Sequence, residues 1–110
     1  MRALAVLAVI GFSGVAAPSR AGDFDPRQTF ATKCAMCHGK TGAPAAIYAQ
    51  KGVRALNDAE WQKSRSDAEL HKTIAEGKKG TLMAGFKQAF SEDEIDALVK
   101  YIRSLAPENP

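Results

Sequence analysis

The run Cys34-Ala35-Met36-Cys37-His38 holds both cysteines of the 110-residue chain and restricts what the chain can become more than any other feature. Cysteines at this spacing serve three chemistries. A thioredoxin-like redox pair belongs near a βαβ pattern, which this sequence lacks, and has no need of the following histidine. A structural zinc site needs four ligands, usually from two such pairs. Here there is no second pair, and His71 is the only other histidine. A plain disulfide across two residues would close a small loop that stabilises little. Covalent haem attachment uses all three residues: two thiols add to the vinyl groups of one haem, and the next imidazole is held against the iron. Cys34 and Cys37 are therefore expected to carry haem c through thioethers, with His38 as the proximal iron ligand.

Residues 3–17 form an apolar run behind Arg2, followed by Ser19-Arg20-Ala21 with small residues where signal peptidase requires them. This predicts a secretory signal over 1–21, cleaved after Ala21, and one domain over 22–110. The run falls short of the roughly 20 apolar residues of a membrane span, and Pro18 and Arg20 follow it. No stable membrane insertion is expected after cleavage. Cleavage removes Arg2 and Arg20, and the remaining chain is nearly neutral, since the whole has 15 Lys and Arg against 12 Asp and Glu. No basic block is present to neutralise phosphates, so nucleic acid is excluded as a partner. A domain this small usually gains from a disulfide, a metal or a buried cofactor. In bacteria this kind of haem attachment takes place outside the cytoplasm, and the periplasm is the expected location.

Nothing beyond the signal alternates apolar and polar long enough for a strand, so the domain is expected to be all-α. Asp25-Pro26 starts a helix that carries Phe30 to about Cys34, and Gly39 to Pro44 breaks it. Helical turns are expected at Ile47 to Gln50 and Ala59 to Lys63. Ser66-Asp67-Ala68-Glu69 is a capping box opening a helix with Leu70 and Ile74 on one face and Gly77 past its end. A second box, Ser91-Glu92-Asp93-Glu94, opens the strongest helix. Its apolar stripe is Ile95, Leu98, Val99, Ile102 and Leu105, and Lys100 and Arg103 near its end complement the dipole.

An iron held by His38 has a second face, for which Met83, His71, water or an open site are the candidates. Met36 lies between the tethering cysteines on the proximal side, and Met1 leaves with the signal. Met83 follows the glycine-containing loop at 77–80, far enough along for the chain to wrap round the haem, and is the expected distal ligand. His71, one position after apolar Leu70, suits an edge position. Water or an open site would point to gas sensing or peroxide chemistry.

With these parts in order, the sequence after the signal resembles the class I (monohaem) cytochrome c family over essentially its whole length. The carriers of the resemblance are an early helix with Phe30, then Cys34-x-x-Cys37-His38, the Met83 loop and a final helix with Leu98-x-x-Tyr101. The resemblance implies a small cytochrome c fold, with crossed N- and C-terminal helices wrapped around one covalently bound haem. Phe30 would then pack near Leu98 and Tyr101. Lys78 to Phe86 resembles the family's distal-ligand loop, but Ala84 stands where a proline commonly follows the methionine, and its loss is expected to loosen that loop. By the same resemblance the Pro44 carbonyl would orient His38 through its ring N–H. Trp61 would hydrogen-bond a haem propionate through its indole N–H.

His/Met ligation would saturate the iron, leaving one-electron transfer as the chemistry. The implied function is a soluble periplasmic electron carrier and not an enzyme, monomeric, meeting donor and acceptor redox proteins through an exposed haem edge. Lys33, Lys40, Lys78, Lys79 and Lys87 would form a basic rim for an acidic partner. Two alternatives stand beside it. One is a haem sensor or peroxidase-like enzyme with a labile or open distal site; the other is a haem-bearing subunit of a larger redox complex. No constellation of catalytic acid, base or nucleophile supports the enzyme.

Overall fold

A computed structural model describes residues 23–107. The expected signal and its cleavage point lie outside the described residues.

Helix α1 (Pro26–Thr29) starts where Asp25 accepts the Gln28 N–H at 3.1 Å, with Pro26 in the first turn. The sequence reading ended this helix near Cys34, but the helical path runs on to His38. It passes through a π-helical turn (Phe30–Cys34), in which the Ala35 N–H donates to the Phe30 carbonyl, and then α2 (Ala35–His38). Nothing between Phe30 and His38 breaks a helix. Gly39, at φ +79°, is the first residue able to turn the chain away. The wide turn inserts one extra residue per hydrogen-bonded ring.

Two short helices follow, α3 (Ala46–Ala49) and α4 (Ala59–Lys63), the latter capped by Asp58, which accepts from the N–H groups of Glu60 and Trp61. Helices α5 (Asp67–Glu76) and α6 (Glu92–Ser104) both open on the expected capping boxes, with reciprocal bonds made at Ser66/Glu69 and Ser91/Glu94. No strand occurs among the described residues.

Helix α6 is the centre of the molecule, with α1 and α5 packed on it. Its Ile95 and Leu98 and the Phe30 ring are each 1% exposed, and Val99, Ile102, Leu56, Leu70 and Ile74 complete the core. Phe30 meets the Tyr101 ring with centroids 5.3 Å apart and planes at 55°. The expected crossing of the first and last helices is present. Burying a side chain such as Phe30 or Leu98 contributes about 1.5–3 kcal/mol, so this contact fixes where the Cys34–His38 segment lies.

A polar lock not anticipated from the sequence ties α6 to the segment before α5. Gln62 is fully buried, and its Nε2 donates to the carbonyls of Leu56 and Ile102 at 2.6 and 2.8 Å. Arg103 was expected only to complement the helix dipole. Its guanidinium instead donates to the Asp67 carboxylate and to the main-chain carbonyls of Gln62 and Arg65. The stretch that carries Trp61 is thereby held against the end of α6.

Candidate functional site

Between these elements lies an apolar cleft of about 620 Å³, inside the range of about 300–1,000 Å³ typical of ligand sites. Phe30, Leu70, Ile74, Phe86 and Leu98 contribute to its walls. On one side Cys34, Cys37 and His38 reach it from the same helical path, because residues three and four apart share a helix face. Met36, on another face, is 76% exposed. Met83 reaches the cleft from the loop after α5, and Trp61 from α4.

The thiols of Cys34 and Cys37 are unbridged. Burial, and to a lesser degree neighbouring Cys37, pushes the Cys34 thiol above its ordinary pKa. Burial lowers the pKa of His38, favouring the neutral imidazole that binds metals.

Two buried side-chain nitrogens among the described residues have no hydrogen-bond partner, His38 Nδ1 and Trp61 Nε1, and both belong to residues that line this cleft. An unpaired buried donor or acceptor costs about 1–3 kcal/mol. An apolar slot with two thiols, a neutral imidazole and a thioether is a donor set that fits a haem. The bond expected from His38 to the Pro44 carbonyl is not formed here. The loop turns back so sharply that a Cβ on Gly39 would lie 1.9 Å from the Ala43 carbonyl, so Ala43 crowds the end of α2.

His71 lies elsewhere. Its Nδ1 is 2.7 Å from an Asp96 carboxylate oxygen, and it lines a separate groove between α5 and α6. Lys87 also lines that groove and not the cleft. Lys33 and Lys78 do line the cleft, joined by Lys51, Arg54 and Arg65, which the sequence reading did not count. Against these five cations the cleft has one acid among its described lining residues, Glu69. Lys51, Arg54 and Arg65 are more distant in sequence from the Cys34–His38 motif and the Met83 loop, so only folding reveals them.

Residues 24–102 match the family described as cytochrome c oxidase, cbb3-type, subunit III. Over 89 residues the chain is 34% identical to the cbb3-type cytochrome c oxidase subunit FixP of Azorhizobium caulinodans, covering 74% of this chain and 28% of that protein. The chain thus spans little more than a quarter of that relative's length. Among solved structures it is similar to the KustC0563 c-type cytochrome, with a TM-score of 0.70 and 32% identity over 76% of this chain and all of that one. A tyrosine-to-phenylalanine mutant of the same protein gives a TM-score of 0.67 and 34% identity over 74% of this chain and 99% of that one. The family match, the helical fold and the neighbours agree: the chain belongs to this family of c-type cytochrome domains, and its cofactor is covalently bound haem c.

Proposed function

We propose that the protein is a periplasmic one-electron carrier that holds its haem through thioethers at Cys34 and Cys37 and coordinates the iron with His38 and Met83. The observation that carries this reading is the meeting of these four side chains on one apolar cleft from two separate segments. When bound, haem supplies a one-electron ferric/ferrous couple, whose potential a thioether ligand raises.

The chain's own contributions follow from the geometry. Phe30, Leu70, Ile74 and Leu98 exclude water from the cleft. The unpartnered Trp61 N–H is offered to a propionate, and the unpartnered His38 Nδ1 calls for an acceptor, for which the Pro44 carbonyl is our candidate. Leu82, which lines the cleft, is 68% exposed, with Lys33, Lys51, Arg54 and Lys78 on the same cleft. An apolar spot among cations suits brief docking of acidic redox partners, with charge setting the encounter rate. Electron-transfer rates with such a partner should fall as ionic strength rises. Among the described residues no helix is long and apolar enough to cross a membrane.

The deciding experiment records the far-red spectrum of the oxidised, haem-loaded protein beside Met83→Ala. A weak thioether-to-iron charge-transfer band present in the parent and lost in the variant is the expected result. Its absence from the parent, with tight carbon monoxide binding by the reduced protein, would replace the carrier with an open-site sensor or enzyme.

A second reading, a haem-bearing subunit of a larger redox complex, draws on the likeness to FixP, an oxidase subunit. Co-purification of the native protein with partner subunits would favour it, and a monomer on size exclusion the independent carrier.

A further inference from the structure

The loop bearing Met83 leaves α5 at its C-cap and returns to bond to the end of the same helix. A helix leaves its last four carbonyls without intrahelical donors; here the C-cap Gly77 serves one of them and the returning loop serves two. Gly77 N–H donates to Thr73 O at 2.8 Å as the chain departs; Phe86 and Lys87 N–H donate to Ile74 O and Ala75 O at 2.8 and 3.0 Å as it returns. Within the loop, Lys78 N–H donates to Met83 O at 3.0 Å. Met83 N–H in turn donates to Thr81 Oγ1, and the Thr81 hydroxyl to Lys78 O. Both main-chain groups of Met83 are therefore fixed.

Two glycines permit this closeness. A Cβ on Gly77 would lie 2.6 Å from Met83 O and 2.8 Å from Gly85 N; one on Gly85 would lie 2.7 Å from both Ala75 O and Glu76 C. Gly77 has φ +75°, whereas Gly85 is absent from the positive-φ glycines. Contact with the end of α5, not backbone conformation, is what requires a glycine at position 85. Beyond the return, the half-buried Phe86 ring packs on the core and stacks on Phe90 at 5.7 Å.

We propose that this backbone clasp, with Gly77 and Gly85 as its positioning residues, holds the Met83 thioether in place as the distal ligand and does the work of the proline that Ala84 replaces. The inference rests on the proposed ligation by Met83. Breaking the clasp frees the loop without touching the thioether, the cysteines or His38.

The test uses the haem-loaded protein and imidazole as a competing ligand for the ferric iron. Gly85→Ala should retain covalent haem, lose most of the far-red band and bind imidazole at least about tenfold more tightly. Gly80→Ala is the control. Gly80 has φ +80° and nothing within 4 Å of a Cβ, so alanine there strains the loop tip and spares the clasp. Its imidazole affinity should stay within about threefold of the parent's. An unchanged band and affinity in Gly85→Ala would overturn the proposal, as would an equal effect from Gly80→Ala. A parent without the band would overturn Met83 ligation itself, and the clasp's role with it. Should Gly85→Ala fail to fold, amide exchange in the parent decides. Phe86 and Lys87 N–H should exchange as slowly as the amides of α5, and rapid exchange would overturn the clasp.

Discussion

The Cys34–His38 side of the cleft lies on one uninterrupted helical path, whereas the Met83 side is a loop whose place is set by main-chain bonds to a helix it has already left. On the first side, residues three and four apart share a face because a helix makes them do so. On the second, eight residues separate Gly77 from the point of return at Phe86, and two glycines let backbone lie on backbone. Rigidity on one side comes from local geometry and on the other from long-range closure. The two sides should therefore fail in different ways.

The largest difference is expected from removing both thiols. Cys34→Ala with Cys37→Ala should abolish covalent haem, seen as loss of the haem mass from the intact protein, whereas Met83→Ala should keep that mass. Covalent haem surviving in the double variant would break the assignment of attachment to this helix.

Next comes the contact that anchors the helical side. Phe30 is 1% exposed, against Tyr101 and the α6 core. Phe30→Ala should cost about 3–5 kcal/mol in denaturant unfolding, with the far-red band intact in the molecules that remain folded. Loss of the band at equal folded fraction would show that the Met83 side depends directly on this contact.

What the sequence disclosed follows the same division. Capping boxes and the α6 stripe are local patterns, and each was found where it was expected; the Cys34–His38 motif is equally local, and the structure brings its three side chains to one cleft. The first helix outran its expected end because the reading had no reason to extend past Cys34, although Gly39 is the first residue that can stop it. Gln62 and Arg103 were missed because a glutamine in a short helix and an arginine in a last turn look solvent-exposed. Only the crossing of distant segments gives them buried carbonyls to hold. The cations of the cleft were only partly legible for the same reason: Lys51, Arg54 and Arg65 join it through folding, whereas Lys87, near Met83 in sequence, lines another groove.

Gln62 offers a smaller perturbation between the two sides. Gln62→Leu leaves Leu56 O and Ile102 O without their shared donor, at a cost of about 1–3 kcal/mol. Because the same stretch carries Trp61, the pH dependence of the reduction potential should shift too if the indole N–H serves a propionate. A stability loss with an unmoved potential profile would confine Gln62 to the fold.

The smallest effect separates the two ends of α5, the helix to which the Met83 loop is clasped. Its C-terminal carbonyls depend in part on the loop, whereas its start is capped by Ser66 and Glu69. Backbone and side-chain bonds to Ser66 hold the Glu69 carboxyl below its ordinary value of 4.5. A depressed folded pKa contributes stability that is complete above the unfolded value and lost as pH falls through the folded one. The parent should therefore lose stability on acidification below the ordinary glutamate range. Glu69→Gln retains an oxygen for the Ser66 N–H but gives up the charge that strengthens the bonds to Ser66, together with an exposed contact with Arg65 at 3.7 Å, worth little. It should be slightly less stable than the parent at neutral pH in thermal unfolding and converge on the parent as pH falls, so that its acid loss is shallower, with the far-red band unchanged at both pH values. A band that weakened in Glu69→Gln would mean that the start of α5 is coupled to the loop at its end. The helix would then transmit strain to the Met83 side rather than serve as its fixed support.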